Sequence, residues 1–477
     1  MKDSRWLSLI VLCTGFLLIV VDMTIVNVAL PSIQRDLGFS GSGLAWVING
    51  YLVAFGGFLL LAGRLGDLLG RKRVYLAGLA IFVAASVLCG VSFNQPMLIA
   101  ARFLQGIGGA TSSAVILAMI VTLFPRPDEQ ARAFGIFSFI ASAGAAVGLL
   151  AGGLITQAVS WHWIFFVNVP IGLVTAAAAV RLLKTDPVPA TGRGADVIGA
   201  ILVTGGLMLA VYTIVESSAW GLGSRQTIGF GALALLILTA FVIRQARISN
   251  PILPLRIFAS RRVSASNLVQ ALMSSAFLGF FFIGSLDLER VLGYGPMAIG
   301  LAFLPVAVVM GLFSVRLSAQ LIGRFGPFAV LVAGQGVVAI ALVMLALGPV
   351  NSTYAIHLLV PLSLLGLGGG LSFPSLTMIA MGDVAPSDAG LASGILNTSG
   401  QIGGSLGLAV LATVAAGWTQ GLLQQGVGAG AALAGGFHFA WFIGAGTIGA
   451  TIVIAITMLR QRAQPSNEEI GENAAVA

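Results

Sequence analysis

Asp22 is the residue in this chain best placed to do chemistry, because it is a carboxylate inside the long apolar run from Leu7 to Leu30. An ionised carboxylate in hydrocarbon is expensive and is normally kept there for function. Its natural counterpart is Arg102, which follows Met97 on another apolar run that enters from the opposite side. At 1.5 Å per residue, Asp22 lies about 22 Å beyond Leu7 and Arg102 about 8 Å beyond Met97. In a hydrocarbon core about 30 Å thick, the two sit at nearly the same level. Such a pair can carry reversible protonation, since moving the cation relative to the carboxylate changes the carboxylate's hold on a proton. The plainer alternatives are a structural ion pair, or an Asp22 solvated by the outer headgroups.

Other polar residues stand in apolar surroundings. Asn27, Gln105, Asn397 and Gln401 offer neutral polar contacts to a cavity between helices. Asp287 and Glu289 fall in Ser285-Leu286-Asp287-Leu288-Glu289-Arg290 at the outer end of an apolar stretch. Two residues apart on a helix they do not share a face, so one can line a cavity while the other pairs with Arg290. Glu216, near Trp220, is similarly placed. His162 lies between Trp161 and Trp163, and reads either as a group that titrates near neutrality or as part of an interfacial aromatic belt. His357 and His438 show no metal-ligand spacing, and Cys13 and Cys89 read as small buried hydrophobes. We therefore expect no metal site and no cofactor. No Gly-x-x-x-x-Gly-Lys-Ser/Thr run is present to cradle phosphates, and no cluster at catalytic spacing argues for an enzyme.

The elements that must hold these residues are membrane helices. Of 477 residues 58% are hydrophobic and 8% charged, with a mean hydropathy of +1.02. About fourteen apolar stretches are long enough to span, at roughly 20 residues each. The expected fold class is all-α integral membrane. The net charge of +8 is a matter of topology. If the first helix enters from the cytoplasm, all of the 24 Lys and Arg residues except Arg35, Arg102, Arg225 and Arg290 fall on the cytoplasmic side, Lys184, Arg193, Arg460 and Arg462 among them. This predicts a multi-pass protein of a bacterial inner or plasma membrane, with both termini cytoplasmic and no nucleic-acid partner. The first apolar run exceeds the 7 to 15 residues (about two to four helical turns) of a signal-peptide core, and reads as a retained helix.

Glycine marks the internal organisation. Gly144, Gly148, Gly152 and Gly153 form a stripe on the fifth stretch, and Gly400, Gly403, Gly404 and Gly407 form another on the thirteenth. The two correspond if two six-helix bundles are separated by an inserted pair, as in transporters built by duplication. The expected division is residues 1–183, a first bundle; 184–262, two inserted helices with flanking loops; 263–462, a second bundle; and 463–477, a polar tail without apolar periodicity.

Between the second and third stretches runs Gly63-Arg64-Leu65-Gly66-Asp67-Leu68-Leu69-Gly70-Arg71-Lys72-Arg73. The spacing of Gly63, Asp67, Gly70, Arg71 and Lys72 resembles the loop between the second and third helices of the major facilitator superfamily. A weaker echo, Gly323-Arg324-Phe325-Gly326, stands where a duplication would put it. Asp22-Met23-Thr24-Ile25-Val26-Asn27-Val28-Ala29-Leu30-Pro31 resembles the first-helix signature of the drug/proton antiporter family with fourteen transmembrane spans. Arg102-Phe103-Leu104-Gln105-Gly106-Ile107-Gly108-Gly109 resembles the superfamily's fourth-helix motif, and Trp163 to Gly172 the antiporters' sixth-helix entry.

This resemblance implies proton-coupled efflux of hydrophobic small molecules, cationic ones among them, by alternating access. The proton gradient would be the energy source, Asp22 and Arg102 the coupling pair, and the Gly63–Lys72 loop a cytoplasmic gate. A dedicated metabolite exporter or an uptake permease of the same fold is the alternative, and a membrane-embedded enzyme a remote one. The partners implied are the substrates, protons and the bilayer, with the chain acting as a monomer. Three departures stand out. Leu149 replaces the proline that usually follows the second glycine of the stripe, His162 replaces an arginine, and Asp287 and Glu289 replace tyrosine and glutamine.

Overall fold

The computed structural model describes residues 2–183, 195–221, 223–349, 353–382 and 389–459. Lys184, Arg193, Arg460, Arg462 and the 463–477 tail lie outside the described residues.

Long apolar runs with few charges leave helix as the way to satisfy the backbone, and among the described residues there is no strand. The helices are α1 (Lys2–Leu37), α2 (Trp46–Leu69), α3 (Arg71–Gly90), α4 (Gln95–Leu123), α5 (Pro127–Ala158), the short α6 (Trp163–Phe166), α7 (Asn168–Leu182), α8 (Val197–Trp220), α9 (Arg225–Arg247), α10 (Arg261–Arg290), α11 (Pro296–Leu312), α12 (Ser318–Ala346), α13 (Leu359–Met381), α14 (Ala389–Gln424) and α15 (Ala429–Ile454). Among the described residues twelve spans are long and apolar enough to cross a membrane, with two shorter apolar stretches, Ala143–Ala158 and Pro296–Leu312, beside them. The second shorter stretch runs on through a widened turn, Phe313–Leu317, into α12.

Two glycines make the sharpest reversals. Gly70 (φ 93°) ends α2 and starts α3, and Gly326 (φ 79°) breaks α12 just before Pro327. Both adopt a positive φ that an L side chain rarely takes. The weak sequence echo at Gly323–Gly326 therefore keeps the backbone device of the stronger loop after losing the acid and most of the basic run.

The correspondence between the two halves extends into the packing. In the first half, a Cβ at Gly78 would lie 2.5 Å from Ser112 N, and one at Gly108 would lie 2.8 Å from Gly78 O. In the second half, a Cβ at Gly334 would lie 2.6 Å from Ser372 Oγ, and one at Gly368 would lie 2.6 Å from Gly334 O. Helix pairs α3–α4 and α12–α13 thus approach through the same small-residue contact, the usual means of close packing in lipid. Helices α5 and α14 press their glycine stripes onto α1 and α10 in the same way.

The α1–α7 and α10–α15 groups meet along two seams, α5 with α11 and α2 with α14. The pair α8–α9 lies outside them, with α8 packed on α2 and α14 through Trp46, Val53, Leu207, Val211, Val215 and Ala409.

Candidate functional site

Arg102 and Gln105 are three residues apart on one face of α4, and a small residue, Gly106, lets that face close on α2, where an added Cβ would strike Tyr51 O. From there Arg102 Nη1 donates to Asp22 Oδ2 of α1 at 2.5 Å and to Gln105 Oε1 at 2.6 Å, while Nε donates to Val47 O at 3.0 Å. Gln105 Nε2 donates to Asp22 Oδ1 at 2.7 Å and to Ser86 Oγ of α3 at 2.9 Å. Asn168 Nδ2 of α7 completes the set, 3.0 Å from Asp22 Oδ1. The Tyr51 ring caps the guanidinium at 4.5 Å. Asp22, Arg102, Gln105 and Asn168 are all buried. A buried ion pair adds little net stability over an apolar core, so its presence here calls for another reason.

The network sits inside the first helix group, between α1, α3, α4 and α7. Gln105, expected to face a cavity, is instead a member of this network, because its place one turn from Arg102 puts it on the same face. Asn168 belongs to the network although sequence reasoning gave it no role; its signal lay within the Trp163–Gly172 run.

On the side away from the Gly63–Arg73 hinge, here called the far side, the two groups are fastened together. Arg35 Nη1 of α1 pairs with Glu289 Oε1 of α10 at 3.1 Å. Ser285 Oγ donates to Asn27 O at 2.7 Å, and Met297 N donates to Gln157 Oε1 at 3.2 Å. Glu289 takes Arg35 as its ion-pair partner, because the end of α1 faces it, while the Arg290 charge acts on the same carboxylate from the neighbouring position. Asp287 is buried, and its carboxylate has no hydrogen bond or ion pair among the described residues. Asn27 is buried too, its Nδ2 donating to Met23 O at 2.9 Å.

The glycine stripe belongs to this closure. Side chains at Gly144, Gly148 and Gly152 would collide with α1, and one at Gly153 would lie 2.7 Å from Pro296 O of α11. Leu149, buried within the stripe, offers its carbonyl to the face of Gly300, and α5 is one helix from Pro127 to Ala158. Beside it His162 stacks on Trp161 with ring centroids 3.7 Å apart, and Trp161 Nε1 donates to Asp36 Oδ2 at 2.8 Å.

The hinge side is open by contrast. A cavity of about 750 Å³ is lined by Gly63, Asp67 and Arg71 on one flank and by Ile252, Gly394 and Asn397 on the other. Asp67 is 55% exposed and pairs with Arg71 at 3.6 Å; no ion pair among the described residues joins it to the second helix group. Arg71 Nη1 also donates to Thr122 Oγ1 at 2.8 Å, and Lys72 Nζ donates to Val180 O at 2.8 Å and Leu183 O at 2.6 Å. These cations thereby fix α3 to the hinge ends of α4 and α7. Of the four neutral candidates only Asn397 lines this cavity; Gln401 packs against Gly56 in the α2–α14 seam.

One polar cluster escaped sequence reasoning. The buried Asp196 at the start of α8 accepts from Gly199 N at 2.9 Å, Arg244 Nε at 2.8 Å and Gln245 Nε2 at 2.7 Å. Burial pushes its carboxyl up, but these donors together with the Arg244 charge outweigh that and hold it below the ordinary carboxylate range. Gln245 Oε1 in turn accepts from Leu253 N at 3.1 Å, which fixes the segment that brings Ile252 to the hinge-side cavity.

Among the described residues no group of His, Cys, Asp and Glu could hold a metal ion.

Residues 12–408 match the Major Facilitator Superfamily model. The chain is 37% identical to the puromycin resistance protein pur8 of Streptomyces alboniger, over 97% of this chain and 93% of that one. It is 37% identical to the cephamycin export protein CmcT of Amycolatopsis lactamdurans, over 87% and 86%, and 33% identical to the multidrug resistance protein Stp of Mycobacterium tuberculosis, over 89% and 78%. Among solved structures, an inward-facing, unoccupied bacterial homolog of the human lysosomal transporter Spinster aligns with a TM-score of 0.68 over 98% of this chain and all of that one, at 17% identity. That likeness is one of fold. The chain belongs to the Major Facilitator Superfamily.

Proposed function

We propose that this member of the superfamily is a proton-coupled antiporter that expels hydrophobic small molecules, cationic ones among them, from a bacterial cell. The observation that carries the reading is the buried Asp22–Arg102 pair, in a chain whose relatives are named for antibiotic resistance and export. The hinge side faces the cytoplasm together with both termini, since positively charged loops resist translocation. The working unit is the monomer.

In the state described, substrate enters the cavity beside Asp67 and Asn397 while the far side is held shut. A proton arriving from outside neutralises Asp22, leaving Arg102 to Gln105 and the Val47 carbonyl. Helix α1 is then free to shift against α4. The same helix carries Asn27 and Arg35 into the far-side seam, so its movement bears directly on that closure. Once the far side opens, substrate leaves, and Asp67 and the hinge cations close the cytoplasmic side. Re-ionisation of Asp22 resets the cycle. Each proton moving down 100 mV supplies about 2.3 kcal/mol, close to a fiftyfold gradient of a neutral solute. The site needs no cofactor for this.

The test is proton-driven uptake of a fluorescent cationic dye into inverted membrane vesicles, with native chain and Asp22→Asn at equal expression. Uptake that an uncoupler stops and the substitution abolishes is the expected result. Equal uptake in both would make Asp22 structural and move the search to Asp287 and Glu289.

A further inference from the structure

Glu216 stands in the common wall of two cavities and has no hydrogen bond or ion pair among the described residues. The first cavity, about 960 Å³, is a groove between α2, α4 and α8 whose walls include Trp46, Phe58, Phe103, Met208 and Tyr212. The second, about 640 Å³, lies at the far end of α8 and α14 and is edged by Ser40, Ser42, Gln420 and Gln424. Among the described residues Glu216 is the one charged residue lining either. Toward the hinge side α8 closes on α2, where a Cβ on Gly57 would strike Thr204 Oγ1.

An apolar groove that ends at a carboxylate, with a polar chamber beyond it, selects its ligand by chemistry. An apolar body gains by leaving water for the aromatic and methionine walls. A cation at the end of that body meets the carboxylate in a groove that aromatic side chains, Trp46 and Tyr212 among them, also line. A phospholipid fits less well: among the described residues no Lys or Arg lines the groove to receive its phosphate, which would stand in the field of the same carboxylate.

We propose that this groove is a binding site for amphiphilic monocations, with the apolar body between α2, α4 and α8 and the charge at Glu216. Asp22, Arg102, Gln105 and Asn168 line neither cavity, so the site is separate from the proton network. It gives the inserted helix pair a role of its own, taking such compounds from the membrane face.

The test uses the full chain in phosphatidylcholine nanodiscs without a proton gradient. Binding of tetraphenylphosphonium is compared with binding of the neutral triphenylphosphine oxide. Glu216→Gln is expected to weaken the cation about fivefold and leave the neutral compound unchanged. Met208→Trp, which fills the groove, is expected to weaken both. The same pattern is expected in an Asp22→Asn chain, which separates this site from the proton-coupling reading. If Glu216→Gln binds the cation as the native chain does at unchanged melting temperature, the proposal fails. It fails equally if phosphatidylethanolamine added to the nanodisc displaces the cation mole for mole, since the occupant is then lipid.

Discussion

Arg35 and Glu289, from the first and second helix groups, meet 3.1 Å apart on the far side of the protein, with the arginine side chain 65% exposed and the glutamate 13%. Such a pair contributes about 0.5–1 kcal/mol, enough to shift an opening equilibrium two- to fivefold without locking it. Glu289→Gln is therefore expected to favour the far-side-open state. Labelling of Asn397→Cys by an impermeant maleimide from the hinge side reads this out, and should fall about twofold or more. The exchange Arg35→Glu with Glu289→Arg should restore it. Cys13 and Cys89 are buried and leave little background.

Removing one member of the buried pair should damage the protein more than removing the charge from both. Arg102→Ala leaves the Asp22 carboxylate buried without its cation, at a cost of about 3–5 kcal/mol. Adding Asp22→Asn to Arg102→Ala should recover a large part of the lost melting temperature in detergent. A double variant no more stable than Arg102→Ala would show that the arginine acts by packing against the Tyr51 ring, 4.5 Å from its guanidinium, and the Phe165 ring, 5.8 Å away.

The repeated helix contacts predict paired sensitivities. Gly108→Ala would press a methyl onto the backbone of Phe82 and Gly78, and Gly368→Ala onto that of Gly334 and Val338. Backbone cannot swing aside as a side chain can, so each should cost about 1–3 kcal/mol. Gly336, on the same helix as Gly334, has nothing within 4 Å of an added Cβ. Gly336→Ala should be neutral or stabilise by up to about 1 kcal/mol. Melting temperatures of the three variants check the pattern.

The Asp196 cluster predicts an acid-dependent term. Its folded carboxyl is held below the ordinary range, so its contribution is present in full above the unfolded value near 4 (about 3.9) and disappears as pH falls through the lower folded value. Asp196→Ala should lower stability by about 2 kcal/mol at neutral pH, from the lost helix cap and the unpaired Gln245. The gap between native and variant melting temperatures should narrow as pH is taken below 4, roughly the unperturbed carboxylate value. A gap that stays constant with pH would mean that the cluster acts without its charge.

Residues that meet at a common depth, or that keep to a strict spacing, were legible in the sequence. The level of Asp22 and Arg102 followed from rise per residue alone, and the glycine stripes announced close helix approach. The reversal at Gly70 was visible because punctuation and charge coincide there. Contacts that depend on how helices rotate about their own axes were not legible. Gln105 turned inward to the Asp22 network, and Glu289 found Arg35 more than 250 residues away in sequence. Asp196 looked like part of a polar loop, since nothing local records that Arg244 and Gln245 converge on it. Glu216 was visible as an acid near a helix end, but the two cavities that share it are properties of three helices together.

The seam where α5 meets α11 has a mechanical consequence. At Gly153 against Pro296, and at Leu149 against Gly300, the contact is made by main chain, with no side chain between the helices to bend or repack. A contact of this kind belongs to the far-side closure, and while that side is shut it holds the halves at a separation set by main chain alone. Its geometry is also largely indifferent to which residues line the chambers on either side. Those residues can vary with the compounds a cell must expel while the clasp between the halves stays the same.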